Sequence, residues 1–142
     1  KGGRIIMMLR SLTLFCSLLL IAGGAFAQED ALQDSVELDI SAAAELLNKT
    51  LPKEIDKNTI LMGIEQKGLT LIYHVQANGY LKKGINHNDF YSETKSTIER
   101  KACSNLAMRY FAENSVKIIY KYNDKEGMPL GDDIPIELEG CF

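Results

Sequence analysis

The spacing between apolar residues changes from helical to alternating twice along this chain, and that rhythm limits the folds open to it. Leu32, Val36, Ile40, Ala43 and Leu47 recur at steps of four and three, the signature of one helical stripe. The spacing predicts a helix over 36–49, with Asp39 or Ser41 able to cap a shorter version. Leu51-Pro52 ends it, because the residue before a proline avoids helical dihedrals. From Asn58 the period is two. Ile60, Met62 and Ile64 alternate with their neighbours, and after Gln66-Lys67-Gly68 the alternation resumes at Leu69, Leu71, Tyr73 and Val75. Two strands joined by a tight turn are expected, with residues 77–84 as a loop.

The helical period returns with Ile98, Ala102 and Leu106 on one stripe and Cys103, Ala107 and Tyr110 beside it. A second helix should run from a cap at Asn88 or Asp89 to about Ala112 and pack its wide apolar face on the sheet, with Cys103 at or near the buried side. Val116, Ile118, Tyr120 and Tyr122 then alternate with Lys117, Ile119 and Lys121, residues 123–127 turn the chain back, and Ile134, Ile136 and Leu138 form a last strand. Pro135 cannot donate to a ladder and asks for an edge position. The order α-β-β-α-β-β predicts a two-layer α+β domain, with the helices on one face of a mostly antiparallel four-stranded sheet.

Arg10 precedes an apolar run over residues 11–22, followed by Ala25-Phe26-Ala27 and the polar Gln28-Glu29-Asp30. A basic start, a short apolar core and small residues at the minus-three and minus-one positions describe a secretory signal peptide, residues 1–27, cleaved after Ala27. The run is too short for a comfortable span, so no stable membrane insertion is expected after cleavage. Residues 1–6 are expected to be upstream translation, with Met7 or Met8 as the start and Lys1-Gly2-Gly3 encoded by a purine-rich bacterial ribosome-binding stretch. Cys16 lacks the small preceding residues of a lipoprotein site and should leave with the signal peptide. Residues 28–35 are polar and read as a mobile leader, and residues 36–142 as one domain.

Removing residues 1–27 from the 142 leaves 115, enough for one modest core. Without Lys1, Arg4 and Arg10 the 16 basic residues fall to 13 against 19 acidic ones, a net charge of −6. That balance disfavours a nucleic-acid partner. Cys103 and Cys141 remain, in a compartment where disulfides persist. They are expected to pair; the alternative is two free buried thiols.

Catalysis needs a nucleophile beside a base, paired carboxylates or clustered metal ligands, and none is visible. A site built from His74, His87 and Asp89 lacks ligand spacing, so no metal or other cofactor is expected. The acids between Asp124 and Glu139 lack the alternating oxygen ligands of a calcium loop and include Lys125. They fit a solvated turn and a charged edge that discourages aggregation. Asn48-Lys49-Thr50 matches a glycosylation acceptor by chance.

The C-terminal half carries a cysteine within a helix (Cys103), a strand ending Tyr120-Lys121-Tyr122, a turn closing on Gly127, an Ile-Pro-Ile strand and Cys141. The N-terminal half adds Leu51-Pro52-Lys53-Glu54-Ile55-Asp56-Lys57-Asn58-Thr59. This layout resembles small exported bacterial proteins similar to the AspS-type pilotins of type II secretion. The resemblance implies a non-enzymatic binder that grips a C-terminal secretin helix and escorts the subunit to the outer membrane. The chain departs from it at Cys16, since those pilotins are lipoproteins. The expected surface is an apolar cleft between helix and sheet, with Ile98, Ala102 and Leu106 on the helix and Tyr120 and Tyr122 on the strand.

The function expected from these observations is a periplasmic or secreted binding protein acting on another envelope protein, as a pilotin-like chaperone or as an immunity or inhibitor protein. The alternative is a small-molecule binder or hydrolase using His74 or His87.

Overall fold

The computed structural model describes residues 24–142, with side chains from residue 31 onward. Most of the expected signal peptide, with Met7, Met8 and Cys16, lies outside the described residues. Residues 35–142 form one compact unit.

Helix α1 spans Gly24–Asn48. Residues 28–35, expected as a leader outside the helix, are therefore helical. From Gln28 to Leu51 the sequence contains neither glycine nor proline and is rich in alanine, leucine and glutamate, so nothing breaks the helix before Pro52. The buried stripe is Val36, Ile40 and Ala44, with Ala44 in place of the expected Ala43 and Leu47.

The sheet has five strands, not four: β1 (Lys53–Asp56), β2 (Thr59–Lys67), β3 (Thr70–Ala77), β4 (Lys117–Asp124) and β5 (Ile134–Ile136), lying side by side in that order. β1 escaped the sequence pattern because all four of its residues are exposed, and a strand with no buried side shows no alternation. It folds back on β2 through a turn in which the Asp56 carboxylate accepts the Asn58 N–H at 2.9 Å. β2 and β3 form the expected hairpin through Gly68 and Leu69, where Gly68 has φ 54°. A side chain would resist that backbone conformation.

β3 and β4 run parallel, which makes the sheet mixed. Helix α2 (His87–Cys103) and helix α3 (Ala107–Glu113) lie in the connection between them, and a helical crossover brings the chain back to start its next strand at the same end. β5 returns antiparallel to β4 as an edge strand, the position Pro135 requires.

The single helix expected over 88–112 is two. Ser104 caps the end of α2, its hydroxyl donating to the Lys101 carbonyl at 2.8 Å, and the Asn105 side chain accepts the Ala107 N–H at 3.0 Å as α3 begins. Short polar side chains compete in this way for backbone groups that would otherwise continue the helix. The α2 cap is Asn86, two residues before the expected Asn88, and its side chain accepts from the N–H groups of Asn88 and Asp89.

Within residues 35–142 the core is continuous on one sheet face. Ile64, Tyr73, Tyr120 and Ile134 stand in one row across the strands, and Leu71, Ile118 and Ile136 in another. The α1 stripe packs with Ile64, Leu71 and Val116, while Ala102 packs with Ile118, Ile134, Ile136 and Leu138, and Tyr73 and Phe111 touch both groups. The helices thus share one face, as expected. The opposite face carries ion pairs, Lys67 to Glu65 at 2.8 Å and Lys121 to Asp133 at 3.0 Å.

Asp124 is a buried acid at 1% exposure. Its carboxylate accepts the backbone N–H groups of Lys82, Glu126 and Met128, tying the loop before α2 to the turn after β4. The Met128 bond leads the causes that hold its pKa below the usual carboxylate value, against the opposing effect of burial.

Candidate functional site

A groove of about 400 Å³ lies between α2 and the sheet. Its α2 wall is one helical face, in which Phe90, Thr94, Ile98 and Ala102 follow one another every four residues with Glu93, Thr97 and Lys101 beside them. The sheet supplies Tyr120 and Tyr122 from β4, Ala77 from β3, Thr59 from β2, and Ile55 and Asp56 from β1. Asn105 from the break between the two helices, Met108 of α3 and Tyr80 complete the lining.

Aromatic contacts give this groove a fixed lining. Tyr73 stacks on Tyr120 with centroids 4.9 Å apart, Phe90 meets Tyr122 edge-on at 5.5 Å, and Tyr80 meets Phe90 edge-on at 5.4 Å. Such pairs hold each ring against its neighbour beyond what area burial alone achieves. Burial pushes the Tyr122 phenol up to about 12, with the Asp56 charge adding to it, and Tyr73 and Tyr120 are raised by burial as well. These phenols remain neutral at any physiological pH.

Four of the five residues expected at the site meet in this groove: Ile98, Ala102, Tyr120 and Tyr122. Leu106 does not. It lies between the two helices and is 79% exposed, because the break at Ser104 and Asn105 takes it off the stripe of Ile98 and Ala102. Sequence reasoning missed Phe90, Tyr80, Met108 and Ile55. Phe90 was legible as the residue one turn before Thr94 and two before Ile98; Ile55 was hidden in a strand without alternation.

Cys103 and Cys141 form a disulfide with Cα atoms 4.8 Å apart. Cys103 is exposed, not turned toward the core as expected, since it is the last residue of α2 and faces the chain's end. The bond fixes the tail beside the segment where Lys101, Ala102 and Asn105 line the groove.

Neither histidine lines the groove. His74 sits on the opposite sheet face, 3.4 Å from Glu65, and His87 begins α2 with Nδ1 2.7 Å from the Leu130 carbonyl. That carbonyl can only accept, so Nδ1 carries the proton. An open hollow beside His87 is lined by Lys82, Asn88, Tyr91 and Asp132. Among the described residues no three His, Cys, Asp or Glu side chains gather to hold a metal ion.

The chain therefore presents a five-stranded mixed sheet, helices on one face, and an aromatic groove between α2 and the sheet. Solved proteins with this fold include the type II secretion system pilotin AspS from Vibrio cholerae, at 19% identity and TM-score 0.62 over 82% of this chain and 98% of that one. The pilotin EpsS of the Vibrio vulnificus type 2 secretion system is similar at 18% identity and TM-score 0.63, over 80% and 97% of the two chains. A Pseudomonas aeruginosa protein assigned as secreted aligns at 16% identity and TM-score 0.62, over 78% and 96%. No protein-family model matches the chain, and no curated protein matches it in sequence. Among the described residues no helix is long and apolar enough to cross a membrane.

Proposed function

We propose that this chain is a non-enzymatic, exported binding protein of the periplasm or the secreted fraction, whose groove receives an apolar segment of another envelope protein. The observation that carries the reading is the groove itself: four aromatic rings and several aliphatic side chains among threonines and three charged groups, open to solvent and set between a helix and a sheet in a fold shared with two secretion pilotins. A helix laid along α2 would bury its apolar face against Tyr120, Tyr122, Phe90 and Ile98. A pilotin-like escort of a secretin is the leading form of this role. An immunity or inhibitor protein is the second, supported by the net charge of −6 after cleavage at Ala27, which would speed capture of a basic toxin or hydrolase.

The test is capture from the native envelope on immobilised residues 28–142, compared with the Ile55→Asp variant. Ile55 lines the groove yet is 54% exposed, so a charge there spoils the groove without opening the core. One stoichiometric envelope protein retained by the native chain and lost by the variant is the expected result. Equal retention by both would move the interaction away from this groove. Loss of a measured catalytic activity on replacing His74 or His87 would instead favour the small-molecule reading.

A further inference from the structure

Three charged groups stand on the groove walls: Glu93 and Lys101 on α2, and Asp56 on β1. They are not equivalent. Asp56 and Lys101 carry opposite charges; the Asn58 backbone N–H leads the causes that hold the Asp56 carboxyl below its usual value, with the Lys101 charge a lesser one. Among the described residues Glu93 forms no ion pair: on α2 it is Lys95 that bridges Glu99 and Glu137, at 3.6 and 4.0 Å, and on α3 Arg109 meets Glu113 at 3.6 Å. Glu93 precedes Lys101 by eight residues, about 12 Å along the helix, so it is a separate feature at the other end of the wall.

Resting on the groove reading above, we infer that Glu93 selects the occupant: an amphipathic helix whose apolar stripe is flanked by a lysine or arginine that meets this carboxylate. A like charge brought to that wall is repelled, while Asp56 and Lys101, opposite in sign, act against each other in the choice. Like-charge juxtaposition acts as a filter alongside the attraction. An exposed ion pair is worth about 0.2–1 kcal/mol. Attraction of a basic flank and a similar repulsion of an acidic one together make the discrimination about 2- to 30-fold in Kd, and it shrinks with added salt as the Debye length shortens.

The experiment uses two labelled helical peptides with the same leucine stripe, one flanked by lysines and one by glutamates, titrated into residues 28–142 and followed by fluorescence anisotropy at low and high salt. The native protein should prefer the lysine peptide, and Glu93→Lys should abolish or reverse that preference. Glu45→Lys on α1 makes the same change in net charge away from the groove and should leave most of the preference in place. Equal loss in Glu93→Lys and Glu45→Lys would reduce the effect to overall charge and overturn the inference while the groove stands. If neither peptide binds, or if Ile55→Asp binds both as the native protein does, the groove reading itself fails. Both reversals lie at exposed positions, and an unchanged melting temperature confirms that each variant is folded.

Discussion

Asn48 closes helix α1 and holds Ile64 of β2 at both of its backbone groups: its Nδ2 donates to the Ile64 carbonyl at 2.7 Å and its Oδ1 accepts the Ile64 N–H at 2.8 Å. One carboxamide thus fastens the end of the helix to the second strand, beside the register shift at Leu61 and Gly63. Asn48→Ala leaves both backbone groups without that partner and should destabilise the domain by about 1–2 kcal/mol. Chemical denaturation checks this, and an unchanged midpoint would mean that water replaces the carboxamide.

Asp124 makes the fold sensitive to acid. Its carboxyl titrates below the usual value in the folded chain, so the folded state favours the ionised form. That stabilisation is present above the unfolded pKa of about 3.9 and is lost as pH falls through the lower folded value. Asp124→Asn should lower stability at neutral pH and flatten the loss of stability below pH 4, read from melting temperatures across a pH series. A variant curve parallel to the native one would place the acid sensitivity elsewhere.

Tyr122 acts at the alkaline end. Its pKa is raised from 10.0 to about 12, so its neutral form is the one that folding favours. The contribution is complete below pH 10 and falls away as pH rises from there through 12. Tyr122→Phe should stay folded to higher pH than the native chain, with the midpoint of alkaline unfolding as the measurement. An unaltered midpoint would assign alkaline unfolding to other groups.

The disulfide joins residues 38 apart, for which loop-closure entropy gives about 4 kcal/mol. Cys103→Ser or Cys141→Ser should lower the melting temperature substantially and remove its dependence on reductant. Two titratable thiols in the denatured, unreduced native protein would contradict the bond.

The sequence made the β2–β3 hairpin, β4, the edge position of Pro135, the cysteine pair and most of the groove legible, because each rests on a local period or a residue with few options. Among the features that were not legible, three bear on the sheet and the groove. β1 buries no side, so it has no alternation to detect. The helix break depends on Ser104 and Asn105 capping their neighbours, and the apolar stripe from Ile98 to Leu106 runs through it as though the helix continued. The parallel pairing of β3 with β4 belongs to how the α2–α3 crossover is laid over the sheet, which no residue spacing records. The second of these misplaced Leu106, and the first hid Ile55 and Asp56 from the groove.

The central claim is that the α2–sheet groove is the face another envelope protein meets. Photo-crosslinking in the native cell tests it most directly, with the photoreactive residue at Thr97 on the groove wall and, as control, at Lys121 on the opposite sheet face. A single discrete adduct to one envelope protein from Thr97, absent from Lys121, is the predicted result. Adducts of equal yield from both positions, or from Lys121 alone, would contradict it.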